Sequence, residues 1–148
     1  MTEQLYNTAI LRLASAIPHE GRLPAPAVPA LKVSPICGSR VTAFVELDPV
    51  GRVARFAQEV RACALGQASA AMLGAGVIGR TPGELAEARD ALAAYLRGDG
   101  PPPPGFPDTT LFEPARPFKA RHASIRLAFE AAAEAAAQAH AAARLQAA

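Results

Sequence analysis

Residues 41–60 carry the pattern that most restricts what this chain can fold into. Val41, Ala43, Val45 and Leu47 alternate with Thr42, Phe44 and Glu46, the period of two that belongs to a strand whose faces differ in character. Asp48-Pro49-Val50-Gly51 then reads as a turn, with Pro preset for the second position and Gly free to take positive φ. Residues 52–60, rich in Val, Phe and Ala, return as the second strand of a hairpin. A lone hairpin is marginal in water, so the rest of the chain must cover it. Residues 31–33 can add a short edge strand, but most of what remains is helical.

Leu5, Ile10, Leu11 and Leu13 fall at helical spacing and predict a first helix over residues 5–13. Pro18, Pro24, Pro26 and Pro29 forbid regular helix and predict an extended crossing of the surface. Residues 62–73 are small and apolar, suited to a tightly packed buried helix with Cys63 at its N-terminal end. Thr81-Pro82-Gly83-Glu84 is a capping box with Pro at the first helical position, and Leu85, Ala88, Leu92 and Leu96 follow until Gly98. Residues 98–107, with four consecutive Pro, predict an exposed Pro-rich loop. From Ser124, an expected N-cap, an Ala-rich helix runs to about Ala143.

A length of 148 residues suits one domain with one core, spanning residues 1–148. The core is built from small pieces: 36 residues are Ala, against six Phe, two Tyr and no Trp. The net charge of +2 supplies no phosphate-binding stripe, so nucleic acid is not the expected partner. The longest stretch free of charge and of large polar groups, residues 68–79, has 12 residues and three Gly, well short of the roughly 20 that span a bilayer. The polar opening MTEQ does not read as an export signal, and the expected compartment is the cytoplasm. There a disulfide between Cys37 and Cys63 is disfavoured, leaving two thiols open to metal or sulfur.

Few side chains here can bind a soft metal or act as nucleophiles: Cys37, Cys63 and the three His. His19 lies in the Pro-flanked crossing and His140 near the end of the Ala-rich helix. His122 stands at an element boundary. At a helix N-terminus, backbone N–H groups and the macrodipole favour a thiolate, which singles out Cys63. A thiol enzyme with Cys63 or Cys37 as nucleophile and His122 as base would need an acidic residue to orient the imidazole, and the sequence shows none nearby. No catalytic residue is assigned.

Four segments resemble the NifU/IscU/SufU-type iron–sulfur cluster assembly scaffolds. The first is the opening helix with Leu5-Tyr6. The second, Pro35-Ile36-Cys37-Gly38-Ser39, is similar to that family's Pro-x-Cys-Gly-Asp. The third, Cys63-Ala64-Leu65-Gly66-Gln67-Ala68-Ser69-Ala70-Ala71-Met72, is similar to its Cys-x-x-x-x-Ala-Ser-x-Ser-Met. The fourth, Lys119-Ala120-Arg121-His122-Ala123-Ser124-Ile125, is similar to the stretch holding its last ligands. The 25 residues between the two Cys are filled by a hairpin, as in that family. Ser39 stands where the family usually has Asp, and the third family Cys is missing. His122 aligns either with the family's histidine or with that third Cys. Ala115-Arg116-Pro117-Phe118-Lys119 replaces the Leu-Pro-Pro-Val-Lys of the IscU branch.

The resemblance implies an α/β fold of the α+β type, with a small curled antiparallel sheet of about three strands against about four to five helices. It implies a scaffold or carrier, not an enzyme, that holds iron and sulfur transiently. Cys37, Cys63 and His122 would bind a [2Fe-2S] cluster or Fe, with Zn possible in the isolated protein. Ser39 would hydrogen-bond toward that site, and Arg121 would offset thiolate charge. The implied partners are a cysteine desulfurase and acceptor apo-proteins, with no membrane involved. Two alternatives stay open: a Zn-bound sulfur acceptor of the SufU kind, and a binding module that has lost its ligands.

Overall fold

A computed structural model describes residues 5–147; the polar opening, residues 1–4, and Ala148 lie outside the described residues. Strands β1 (Val28–Val33), β2 (Arg40–Leu47) and β3 (Val53–Arg61) form one antiparallel sheet in the order β1-β2-β3. Helix α1 (Thr8–Ala14) precedes the sheet, and α2 (Ala64–Gly76), α3 (Pro82–Arg97) and α4 (His122–Ala147) follow it. Two 3-10 segments, Pro107–Ala115 and Lys119–Arg121, lead into α4. The expected α/β architecture of a small antiparallel sheet covered by helices is the one observed. No helix among the described residues is long and apolar enough to cross a membrane.

The hairpin forms as its alternation predicts, closed by Asp48, whose Oδ1 accepts from the N–H groups of Val50 and Arg52. Pairing runs from Arg40 opposite Arg61 to Leu47 opposite Val53, with a register shift between Glu46 and Leu47 that absorbs the turn. Val41, Ala43 and Val45 are buried against the helices. Phe44, on the other face, is buried too, in a small cluster with Ala27 and Ala57 roofed by Leu23. The Pro-rich crossing therefore serves as a lid. It also runs beside β3, where Gly21 N–H donates to Gln58 O and Gln58 N–H donates to His19 O, so that edge is not left bare.

Helix α4 is the central element, packing on β1 and β2 and also meeting α2 and α3, while α1 packs on α2. Its Ala residues are good helix formers, and their small side chains let neighbouring backbones come close. Ala128, Ala131, Ala132, Ala135 and Ala136 are all buried. Bulk comes from Ile125, Leu127 and Phe129, the last edge-on to Phe106 with ring centroids 5.1 Å apart. Phe106 thus pins the end of the Pro-rich loop, in which Pro103 is also buried. Helix α4 begins at His122, two residues earlier than its expected cap, so Ser124 lies inside the first turn. In α3 the capping box is complete: Glu84 N–H donates to Thr81 Oγ1 and Thr81 N–H to Glu84 Oε1, and Gly98 ends the helix at φ 83°.

Candidate functional site

Arg40 of β2 pairs with Arg61 of β3, so the β1–β2 turn and the β3–α2 junction sit at one end of the sheet. Cys37 is in the first and Cys63 in the second. Both are free thiols, as expected.

The Cys37 turn is tight. Ser34 N–H donates to Ser39 O at 2.8 Å, and Gly38 N–H to Ser34 O at 2.9 Å. This closure needs a left-handed residue, which Gly38 supplies at φ 72°. Ser34 and Ser39 are buried while Cys37 is exposed between them. The Cys37 Sγ lies 3.4 Å from Ser34 Oγ and 3.0 Å from Ser39 Oγ. As a thiol Cys37 donates toward these oxygens; as a thiolate it accepts from both hydroxyls, which rotate freely about their C–O bonds. The Ser34 hydroxyl foremost, then the Ser39 hydroxyl and backbone, hold the Cys37 thiol below its ordinary pKa. The structure therefore joins both Ser39 and Ser34 to Cys37. Ser34 was legible only as a residue three positions before a Cys in a turn.

Cys63 is the N-cap of α2 and half-buried. Its Sγ sits 3.0 Å from Ser124 Oγ, across 61 residues of chain. That contact is possible because Ser124 lies in the first turn of α4 and not ahead of it. His122 opens α4 and turns inward: its Nε2 is 3.2 Å from Ala115 O and 3.0 Å from Arg116 O. Carbonyl oxygens only accept, so Nε2 carries the proton and donates to them. The ring thus ties α4 to the end of the 3-10 segment. Arg121 is exposed.

No family model and no curated protein matches the sequence. Among solved structures, the N-terminal part of a nitrogen-fixing NifU-like protein from Brucella abortus is 44% identical, with 94% of this chain and 96% of that one covered and a TM-score of 0.87. The chain belongs to the NifU-like family. Two more distant solved structures share the fold. A hypothetical protein is 22% identical over 90% of this chain and 98% of its own, at TM-score 0.79. A protein named for iron–sulfur cluster assembly in the SUF system of Fervidobacterium islandicum is 18% identical over 92% and 99%, at TM-score 0.81.

One expectation drawn from the NifU-like resemblance is corrected. A [2Fe-2S] cluster, Fe or Zn was expected on Cys37, Cys63 and His122, yet among the described residues no three His, Cys, Asp or Glu side chains gather to hold a metal ion. The physical reason is visible at each donor. Cys37 is engaged by Ser34 and Ser39, Cys63 by Ser124, and the His122 Nε2–H by two backbone carbonyls. Replacing the family's usual Asp with Ser39 removes a hard anionic donor and puts a hydroxyl on sulfur instead.

Proposed function

We propose that this NifU-like protein is a sulfur carrier, with Cys37 as the residue that takes and hands on sulfur. The observation that carries this reading is an exposed cysteine whose thiolate is favoured by two buried serine hydroxyls. The thiolate is the nucleophilic form, and exposure is what a partner's persulfide needs to reach it. Cys63 is half-buried against Ser124, so transfer is assigned to Cys37.

In the step proposed, Cys37 first loses its proton to solvent and then attacks the terminal sulfur of a cysteine persulfide on a cysteine desulfurase. A new S–S bond forms at Cys37 while the donor's S–S bond breaks. The donor cysteine leaves with the bonding pair as a thiolate and regains a proton from water. The sulfane sulfur keeps its oxidation state, so no outside oxidant or reductant is needed. Delivery repeats the exchange: a thiolate of an acceptor apo-protein attacks the Cys37 persulfide. The two serines stabilise the departing Cys37 thiolate in that second exchange as they favour it before the first.

The test is incubation of the reduced protein with a cysteine desulfurase and L-cysteine, followed by intact-mass and peptide mass spectrometry. One added sulfur atom on Cys37 is expected, absent in Cys37→Ser and retained in Cys63→Ser. Sulfur on Cys63 alone, or none on the chain, would overturn the proposal.

A further inference from the structure

A cavity of about 480 Å³ opens between the end of α3, the turn carrying Arg116, and the start of α4, within the range of about 300–1,000 Å³ typical of small-molecule sites. Its charged walls are Arg97, Asp99, Arg116, Lys119 and Arg126, with His122 among them. Among the lining residues four permanent cations face one carboxylate, and counting Glu130, 3.8 Å from Arg126, an excess of two positive charges remains around one cavity. Like charges at such density repel, and proteins keep them together where an anion relieves the repulsion.

The cations are also held in place. Arg97, the last residue of α3, is fixed by its Nε donating to Asp99 Oδ2 at 3.2 Å. The Arg116 guanidinium lies over the Tyr95 ring, 4.8 Å from its centroid. Stacking leaves the edge of that guanidinium, where its N–H donors lie, free to fork onto an oxyanion. His122 is anchored through Nε2 to the carbonyls of Ala115 and Arg116, which fixes the turn that presents Arg116. Arg126, one helical turn beyond His122, meets Glu130 only at 3.8 Å, and its Nε is buried with no acceptor among the described residues. A buried guanidinium donor without an acceptor is costly, and an anion's oxygen would remove that cost.

We infer that this cavity is a binding site for a small multivalent oxyanion, a phosphate ester or a di- or tricarboxylate. Planar guanidinium forks and a lysine ammonium recognise both kinds by the same chemistry. The concavity argues for a small molecule, because an acidic protein surface would need a broad, shallow patch. The site is separate from Cys37 and does not depend on the sulfur-transfer reading.

Isothermal titration calorimetry of the whole chain with pyrophosphate and with citrate tests the inference. Saturable binding of at least one probe, at one site per chain, is expected, and the tighter of the two identifies the ligand as phosphate or carboxylate. Lys119→Gln removes a charge with no packing role, and Arg116→Gln removes the stacked fork. Each should weaken binding about tenfold, the scale of one lost charge-assisted hydrogen bond. Arg12→Gln, on α1 and away from the cavity, should change affinity less than about twofold on the same scale. Absence of saturable binding by either probe would overturn the inference. So would equal weakening in Arg12→Gln, or tighter binding of an acidic peptide than of both small anions.

Discussion

At the scale of single residues, the neighbours of each sulfur and imidazole decide what it can do. Cys37 and Cys63 are the same residue type, yet one is exposed between two hydroxyls and the other half-buried against one. The lowered pKa of Cys37 has a readable sign: a depressed pKa means more thiolate at neutral pH, so alkylation there is faster than for an unassisted thiol. Iodoacetamide rates across pH should therefore give Cys37 a midpoint below the ordinary thiol range. Ser34→Ala combined with Ser39→Ala should raise that midpoint, slowing the reaction at pH 7, with the rates converging near pH 10 where both thiols are ionised. An unmoved midpoint would show that the hydroxyls do not act on the sulfur. The sequence pointed to Ser39 through its place after Cys-Gly. It was silent about Ser34, because a serine three residues from a cysteine means nothing until a turn folds one onto the other.

At the scale of elements, the contact between α2 and α4 controls where Cys63 sits. Ser69, in the middle of α2, donates its hydroxyl to Ile125 O at 2.6 Å, so a polar side chain in a buried helix becomes a tie between helices. Three residues earlier, Gly66 lets the two backbones approach. A Cβ at that position would come within 2.7 Å of Ala62 Cβ and 3.1 Å of Ser124 O. Neither neighbour is the end of a flexible side chain, so the backbone would have to move. Replacing a helical Gly by Ala normally gains up to about 1 kcal/mol, but overpacking costs about 1–3 kcal/mol, and Gly66 is only in the first turn, where the gain is small. Gly66→Ala should thus lower stability by about 1–2 kcal/mol in urea unfolding. It should also change the reactivity of Cys63, whose Ser124 contact lies at the same crossing. Equal or higher stability would mean the helices have room that the described packing does not allow.

For the whole molecule, the fold is held by its apolar core and helix crossings. The sheet, its Ala-rich covering helix and the lid of residues 18–27 close around side chains that are almost all apolar. A ligand stabilises a protein only to the extent that it binds the native state, by RT ln(1 + [L]/Kd). Among the described residues no three donor side chains gather to hold a metal ion. Thermal unfolding followed by circular dichroism should be cooperative, and EDTA or added Zn²⁺ should shift Tm by less than about 1 °C. A rise of several degrees with Zn²⁺ would show that Cys37, Cys63 and His122 leave their hydrogen-bond partners to bind it.

What the sequence determined alone is whatever depends on neighbours along the chain. A period of two and an Asp-Pro-Val-Gly turn specify the hairpin, Thr81 and Glu84 specify the start of α3, and Gly98 specifies its end, because strand pleat, capping and positive φ are local properties. The family resemblance was legible for a related reason, since its motifs are short runs around Cys37 and Cys63. Only the tertiary structure decided where the donors face. His122 turns to two carbonyls, Cys63 meets a serine 61 residues away, and five basic side chains from three segments surround one cavity. Each of those outcomes depends on how closely α4 approaches α2 and α3, which is set by the packing of Ala and Gly surfaces. Such close approach is a property of the whole core, and no window of the sequence contains it.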